Sequence, residues 1–169
     1  ADRVRAAAGG LNSIGVSRGE NVGLLMNNCS SFYVCDMAVV SLGAVPFSIY
    51  QTSSPEQISY MLKDSNCRPI FVEKAFLPSL LAASDQGSTL ENIILIDGEA
   101  EGGTTTLEAL EKADPGFDPA PIAAETTLED PLTLIYTSGT TGPPKGVVLT
   151  HGNLLRMSAS VLQSRIDMR

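Results

Sequence analysis

Short apolar stretches alternate with helical ones along nearly the whole chain, which predicts an α/β fold: a mostly parallel sheet with flanking helices. Two further observations describe a globular chain of about one domain. Hydrophobic residues make up 43% and charged residues 18% of the sequence, a balance that can bury a core and does not describe a disordered chain. The length, 169 residues, suits one domain or a piece of a larger one, at roughly 150 residues per domain.

The elements follow in order. Val4, Ala7, Ala8 and Leu11 repeat at i, i+3, i+4, i+7 with Asp2, Arg3 and Arg5 opposite, so the chain opens inside a helix, weakened at its end by Gly9 and Gly10. Residues 16–20 read as a turn and 21–26 as an apolar strand. Ser30 or Ser31 is expected to cap a helix through Ser41, with Gly43 in the usual C-terminal position. Residues 44–50 form a second strand. Ser53 or Ser54 can cap the next helix, with Pro55 in its first turn, where a missing N–H costs nothing. Ile58, Met61 and Leu62 continue that helix to about residues 64–66. A third strand covers 69–73, a helix 76–83, a fourth strand 92–96 and a short helix 106–112. Pro115, Pro119, Pro121 and Pro131 make 114–131 an extended connector. Strands at 132–136 and 146–149 and a helix at about 153–166 complete the pattern, with no internal repeat and no low-complexity segment. Met26, Met37 and Met61 fall at core positions.

Composition excludes several functions. Eleven Lys and Arg against 19 Asp and Glu leave a net charge of −8, which argues against nucleic acid, since phosphate backbones are held by clustered basic residues. One His and three scattered Cys offer no metal-ligand pattern, and Glu129 and Asp130 beside Pro131 read as solvated surface. No run reaches the roughly 18 apolar residues needed to span a bilayer. Without a basic and apolar leader the expectation is a soluble, cytoplasmic protein whose Cys29, Cys35 and Cys67 are reduced and partly buried. Glu56 is placed to interact with a helix N-terminus.

The stretch that carries chemistry is Tyr136-Thr137-Ser138-Gly139-Thr140-Thr141-Gly142-Pro143-Pro144-Lys145-Gly146, between two apolar strands. Its glycines let backbone N–H groups approach a ligand, its four hydroxyls can donate to phosphate oxygens, and Lys145 adds a point charge. Together they suit an anion cradle for a polyphosphate. The order is neither G-x-x-x-x-G-K-[ST] nor G-x-G-x-x-G. Composition alone serves a solvated hairpin loop equally well. His151, the only histidine, is able to act as a general base, although its position directly before a helix favours capping or packing.

Residues 134–149 resemble the phosphate-loop signature of the adenylate-forming superfamily, which comprises acyl-CoA synthetases, peptide-synthetase adenylation domains and luciferases. The stretch fits at every defined position, and Thr150-His151-Gly152-Asn153-Leu154 continues as that family often does. Upstream, Gly19-Glu20-Asn21-Val22 is similar to the family's Gly-Asp-x-Val turn, with Glu in place of Asp. Gly43-Ala44-Val45-Pro46 and Thr52-Ser53-Ser54-Pro55-Glu56-Gln57 resemble the long-chain fatty acyl-CoA synthetase branch.

The resemblance implies an acid–thiol ligase: a carboxylate attacks ATP with Mg²⁺ assistance to give acyl-adenylate and pyrophosphate, and coenzyme A displaces AMP. It assigns Thr137, Ser138, Gly139, Thr140, Thr141 and Gly142 to the β- and γ-phosphates and Lys145 to holding or ordering the loop, while Tyr136 packs as the last strand residue. The family's downstream nucleotide motifs, its Mg²⁺-engaging Glu, its acyl pocket and its C-terminal lid with the catalytic Lys do not occur here. Residues 1–169 are therefore expected to be a partial AMP-binding N-terminal domain, cut at both ends, with no catalytic residue and no metal ligand of its own, and inactive alone. Such a piece leaves a sheet edge and an apolar face that favour self-association. The full-length enzyme has scope for peripheral membrane contact. Two alternatives stay open: a non-catalytic truncated homologue binding a nucleotide or partner, and an adenylation domain for another carboxylic acid.

Overall fold

The structure is a computed structural model and describes residues 1–85, 87, 89–137 and 143–166, the last three by backbone alone. The elements run α1 (Asp2–Ser13), β1 (Asn21–Leu25), α2 (Ser30–Ser41), β2 (Val45–Ser48), α3 (Pro55–Asp64), β3 (Pro69–Val72), α4 (Leu77–Ser84), β4 (Asn92–Leu95), β5 (Thr105–Thr106), α5 (Leu107–Glu111), α6 (Ala120–Ala124), β6 (Pro131–Thr137), β7 (Lys145–Thr150) and α7 (His151–Ile166). The seven described strands form one sheet in the order β5-β4-β3-β1-β2-β6-β7. Every pair is parallel except β6 with β7. The α/β class with a mostly parallel sheet is thus the one the sequence predicts.

Helices cover both faces because parallel crossovers are right-handed. The connection from β1 out to β2 runs through α2, and the connection from β2 back past β1 to β3 runs through α3, so the two helices lie on opposite faces. Alternation within the strands matches: Leu24 and Phe71 pack with Leu11, Val39 and Leu107 on one face. Leu25, Ile70 and Val72 pack with Ile58, Leu62 and Leu80 on the other. Gly43 closes α2 at φ +66°.

Five expectations need correction. The N-cap of α2 is Cys29, without a side-chain cap bond, and Ser30 lies in the first turn. Residues 114–131 are not extended throughout, since α6 forms behind Pro119 with Pro121 in its first turn, where proline is tolerated. Gly9 and Gly10 are buried within a helix that runs on to Ser13; a Cβ on Gly10 would stand 2.5 Å from Leu110 Cγ, so they mark a close approach of α1 to α5. Met37 faces solvent, unlike Met26 and Met61. Asp130 is not free surface, because its carboxylate accepts hydrogen bonds from Arg18 Nη1 and the Thr127 N–H, both at 2.8 Å. Burial of Cys35 and Cys67 and partial exposure of Cys29 agree with expectation, and all three are free thiols. The hairpin and α7 expose Ile135, Val147, Val148, Leu155 and Leu162, whereas the parallel strands β1 to β4 are packed within the two clusters. Among the described residues no helix is long and apolar enough to cross a membrane.

Candidate functional site

In parallel sheets ligands settle beyond the carboxyl ends of the strands, where successive crossovers part to opposite faces. Here that place is the end of β1 and β2, extended by β6. A cleft of about 410 Å³ opens there, walled by Gln57 and Met61 of α3, by Thr52 and Ser53 before it, and by Ile135, Tyr136, Thr137 and Pro144 of the hairpin. Cavities of about 260 Å³ and 550 Å³ adjoin it, one bounded by Phe32, Asp36 and Thr133 and the other by Asn27, Asn28 and Gln51. Tyr50, 68% exposed, lines all three.

Local sequence builds each wall. Ser54 and Gln57 form a reciprocal capping box: the Gln57 N–H donates to Ser54 Oγ at 3.4 Å and the Ser54 N–H donates to Gln57 Oε1 at 2.9 Å. With Pro55 at the first position, this fixes the start of α3 at the cleft. Glu56 lies in the first turn, and a hydrogen bond from Ser54 holds its carboxyl below the usual carboxylate range, as its expected place at a helix N-terminus requires. The opposite wall hangs on Tyr136. Its ring is 6% exposed and packs against Phe47 with centroids 5.8 Å apart. The phenol donates to Asp64 Oδ2 at 2.8 Å, at the far end of α3. Burial, then the Asp64 carboxylate, pushes this hydroxyl well above its ordinary range, so it stays a neutral donor. Tyr136 therefore packs as expected, although β6 runs one residue further, to Thr137.

Of the residues assigned to the phosphate cradle, Thr137 and Lys145 are paired across the hairpin and exposed at its turn end. Ser138, Gly139, Thr140, Thr141 and Gly142 lie outside the described residues. His151 is the first residue of α7; its N–H donates to the Asp130 carbonyl at 3.1 Å, and it lines none of the three cavities. The cap itself comes from Thr150 and Asn153, which bond each other reciprocally. Asp36 is partly buried, has no partner among the described residues, and is pushed above the usual carboxylate range by burial. No group of three His, Cys, Asp or Glu among the described residues is gathered to hold a metal ion.

Sequence reasoning missed Tyr50, Asp36 and Asp64. Nothing local signals Asp64, which meets Tyr136 from 72 positions away. Gln57 was recognisable, since Ser54-x-x-Gln57 is a capping pattern.

Comparison with known proteins places the chain in a family. Long-chain-fatty-acid–CoA ligase FadD15 of Mycobacterium tuberculosis is 38% identical over 159 residues, 92% of this chain and 26% of that protein. The 4-coumarate–CoA ligase 2 of Oryza sativa is 33% identical over 162 residues, 89% of this chain and 28% of its own length. Among solved structures, the anthranilate CoA ligase AuaEII in complex with anthranoyl-AMP superimposes with a TM-score of 0.81 at 29% identity, covering 89% of this chain and 28% of that one. The chain thus spans about a quarter of the length of the curated relatives it matches. The family described as AMP-binding enzyme matches residues 1–168, and the chain belongs to it.

Proposed function

We propose that this chain supplies the phosphate-holding part of an ATP-dependent fatty-acid–CoA ligase acting in the cytoplasm. The reaction joins a carboxylate oxygen to the α-phosphorus of ATP and releases pyrophosphate. The thiol sulfur of coenzyme A then takes the acyl group and AMP departs. Thr137, Ser138, Gly139, Thr140, Thr141 and Gly142 donate hydroxyl and N–H hydrogen bonds to the β- and γ-phosphates, and Lys145 orders the loop from its far stem. Such donors stabilise charge on a departing pyrophosphate without covalent chemistry. Mg²⁺ arrives with the nucleotide and neutralises further phosphate charge.

The observation that carries this reading is the meeting of Thr137 and Lys145 at the turn end of a hairpin beside a cleft at the carboxyl edge of a parallel sheet. Likeness to a fatty-acid ligase at 38% identity supports the fatty acid as substrate. The 4-coumarate and anthranilate ligases favour a second reading, in which the acid is aromatic.

Thermal unfolding of the 169-residue chain with Mg-ATP tests the cradle. At a hundred times Kd the nucleotide adds about 2.7 kcal/mol, a rise of roughly 5–10 °C for a chain of this size. Lys145→Ala is expected to lose much of that rise, and equal protection of both chains would sink the cradle. Pyrophosphate release by the product of the whole gene, across fatty and aromatic acids, distinguishes the two substrate readings.

A further inference from the structure

We propose that the Tyr136–Asp64 hydrogen bond is a positioning contact for polyphosphate binding: it ties the stem of the glycine-rich hairpin to α3, and Asp64 thereby governs how tightly the cleft holds Mg-ATP. The inference rests on the polyphosphate reading above.

The two walls of the 410 Å³ cleft belong to different units, α3 on one side and the β6–β7 hairpin on the other. Along the sheet, the hairpin meets the parallel strands only through β2, where Phe47 opposite Leu134 is the one described register pair. Thr133 Oγ1 adds a hydrogen bond to the Pro46 carbonyl at 2.8 Å, near the end of β6 away from the glycine-rich stretch. Nearer the glycine-rich stretch the tie is Tyr136, whose ring packs on Phe47 and whose phenol donates to Asp64 Oδ2 at 2.8 Å, with the Met61 carbonyl a longer second acceptor at 3.4 Å.

The same ring reaches the second stem. A Cβ on Gly146 would stand 3.3 Å from Tyr136 Cζ, so the β7 backbone lies against the ring with little space for a side chain. One residue before the glycine-rich stretch, a single side chain therefore touches both stems and α3.

Among the described residues, the Asp64 carboxylate takes its hydrogen bond from the Tyr136 phenol. Asp64 is the last residue of α3, where the helix dipole disfavours negative charge. The phenol compensates by donating a hydrogen bond to the carboxylate, which holds the hairpin stem against α3.

The test uses the whole 169-residue chain and the variants Tyr136→Phe, Asp64→Ala, Asp64→Asn and the double variant Tyr136→Phe/Asp64→Ala. Calorimetric titration reads Mg-ATP affinity, and amide exchange without nucleotide reads β6 and β7 against β1. Losing one buried hydrogen bond should weaken binding about tenfold in Tyr136→Phe and Asp64→Ala. Exchange should quicken along β6 and β7 while β1 stays protected, which shows that the variants are folded. Asp64→Asn keeps an acceptor for the phenol and is expected within about threefold of wild type, and the double variant no worse than either single one.

A wild-type chain that binds Mg-ATP while both disrupting variants bind as well overturns the positioning role alone. Unchanged exchange along β6 and β7 overturns the tie itself. A wild-type chain that fails to bind Mg-ATP overturns the polyphosphate reading and, with it, the role of Asp64.

Discussion

A methyl group on Gly10 asks whether the close approach of α1 to α5 is required or merely tolerated. In an isolated helix, Gly→Ala stabilises by about 1 kcal/mol through backbone entropy and propensity. Here the added Cβ would lie 2.5 Å from Leu110 Cγ and 2.7 Å from the Leu110 carbonyl carbon. A leucine tip can turn aside, but the backbone carbon cannot, so the helices must part by about 1 Å to reach van der Waals contact near 3.5 Å. That movement loosens Leu11, Leu107 and Leu110, which pack in one cluster. Overpacking of this kind costs about 1–3 kcal/mol, which set against the propensity gain leaves a net loss of up to about 2 kcal/mol. Urea unfolding followed by far-ultraviolet circular dichroism should show a lower midpoint with unchanged slope. Gly116→Ala is the control: its Cβ meets nothing nearer than 3.9 Å, and it is expected to be neutral or slightly stabilising. A midpoint for Gly10→Ala equal to or above wild type would refute the packing argument, because propensity alone would then have decided the sign.

Asp36→Asn is expected to raise the melting temperature at pH 7. Burial lifts the Asp36 carboxyl above its ordinary range, so the folded state binds its proton more tightly than the unfolded chain, and stability falls as pH rises through that interval. The advantage of the variant should fade below about pH 4, where the unfolded carboxyl is protonated too; melting curves from pH 4 to 8 decide it, and a constant difference would exclude titration as the cause. Ser54→Ala removes the α3 cap and should cost about 1 kcal/mol, roughly 2–4 °C, whereas Ser53→Ala, outside the box, should stay within about half that loss. Equal losses at the two serines would mean that the cap is not what holds the start of α3.

Signals with a local physical cause were legible in the sequence. Ser54, Pro55 and Gln57 announce a helix start by their own hydrogen-bonding and dihedral limits, and α3 begins there. Gly43 announces the end of α2 and adopts the positive φ that such an end needs. The hairpin stretch stood out because glycines and hydroxyls between two apolar strands suit an anion. Tertiary features were not legible. Two-residue β5 exists because β4 offers an open edge, and no periodicity can be read from Thr105 and Thr106. Gly9 and Gly10 looked like weakness because the surface they meet, Leu110 and residues near Asp114, is a hundred positions away. Apolar Met37 matched core spacing, yet α2 turns that side to solvent. Asp64 matters only through a phenol that folding brings to it.

The antiparallel pairing of β6 with β7 bears on the order in which a nascent chain becomes competent. Strands β1 to β4 are joined by single-helix crossovers, and the hairpin pairs with itself across seven intervening residues, so each half draws on its own stretch of sequence. Joining β2 to β6, by contrast, closes Phe47 onto Leu134. All the sequence between these two strands must have left the ribosome before that closure can occur, and loop-closure entropy opposes it until the apolar contacts form. The cleft draws its walls from both halves, so it does not exist in either one. Its appearance during synthesis reports their union.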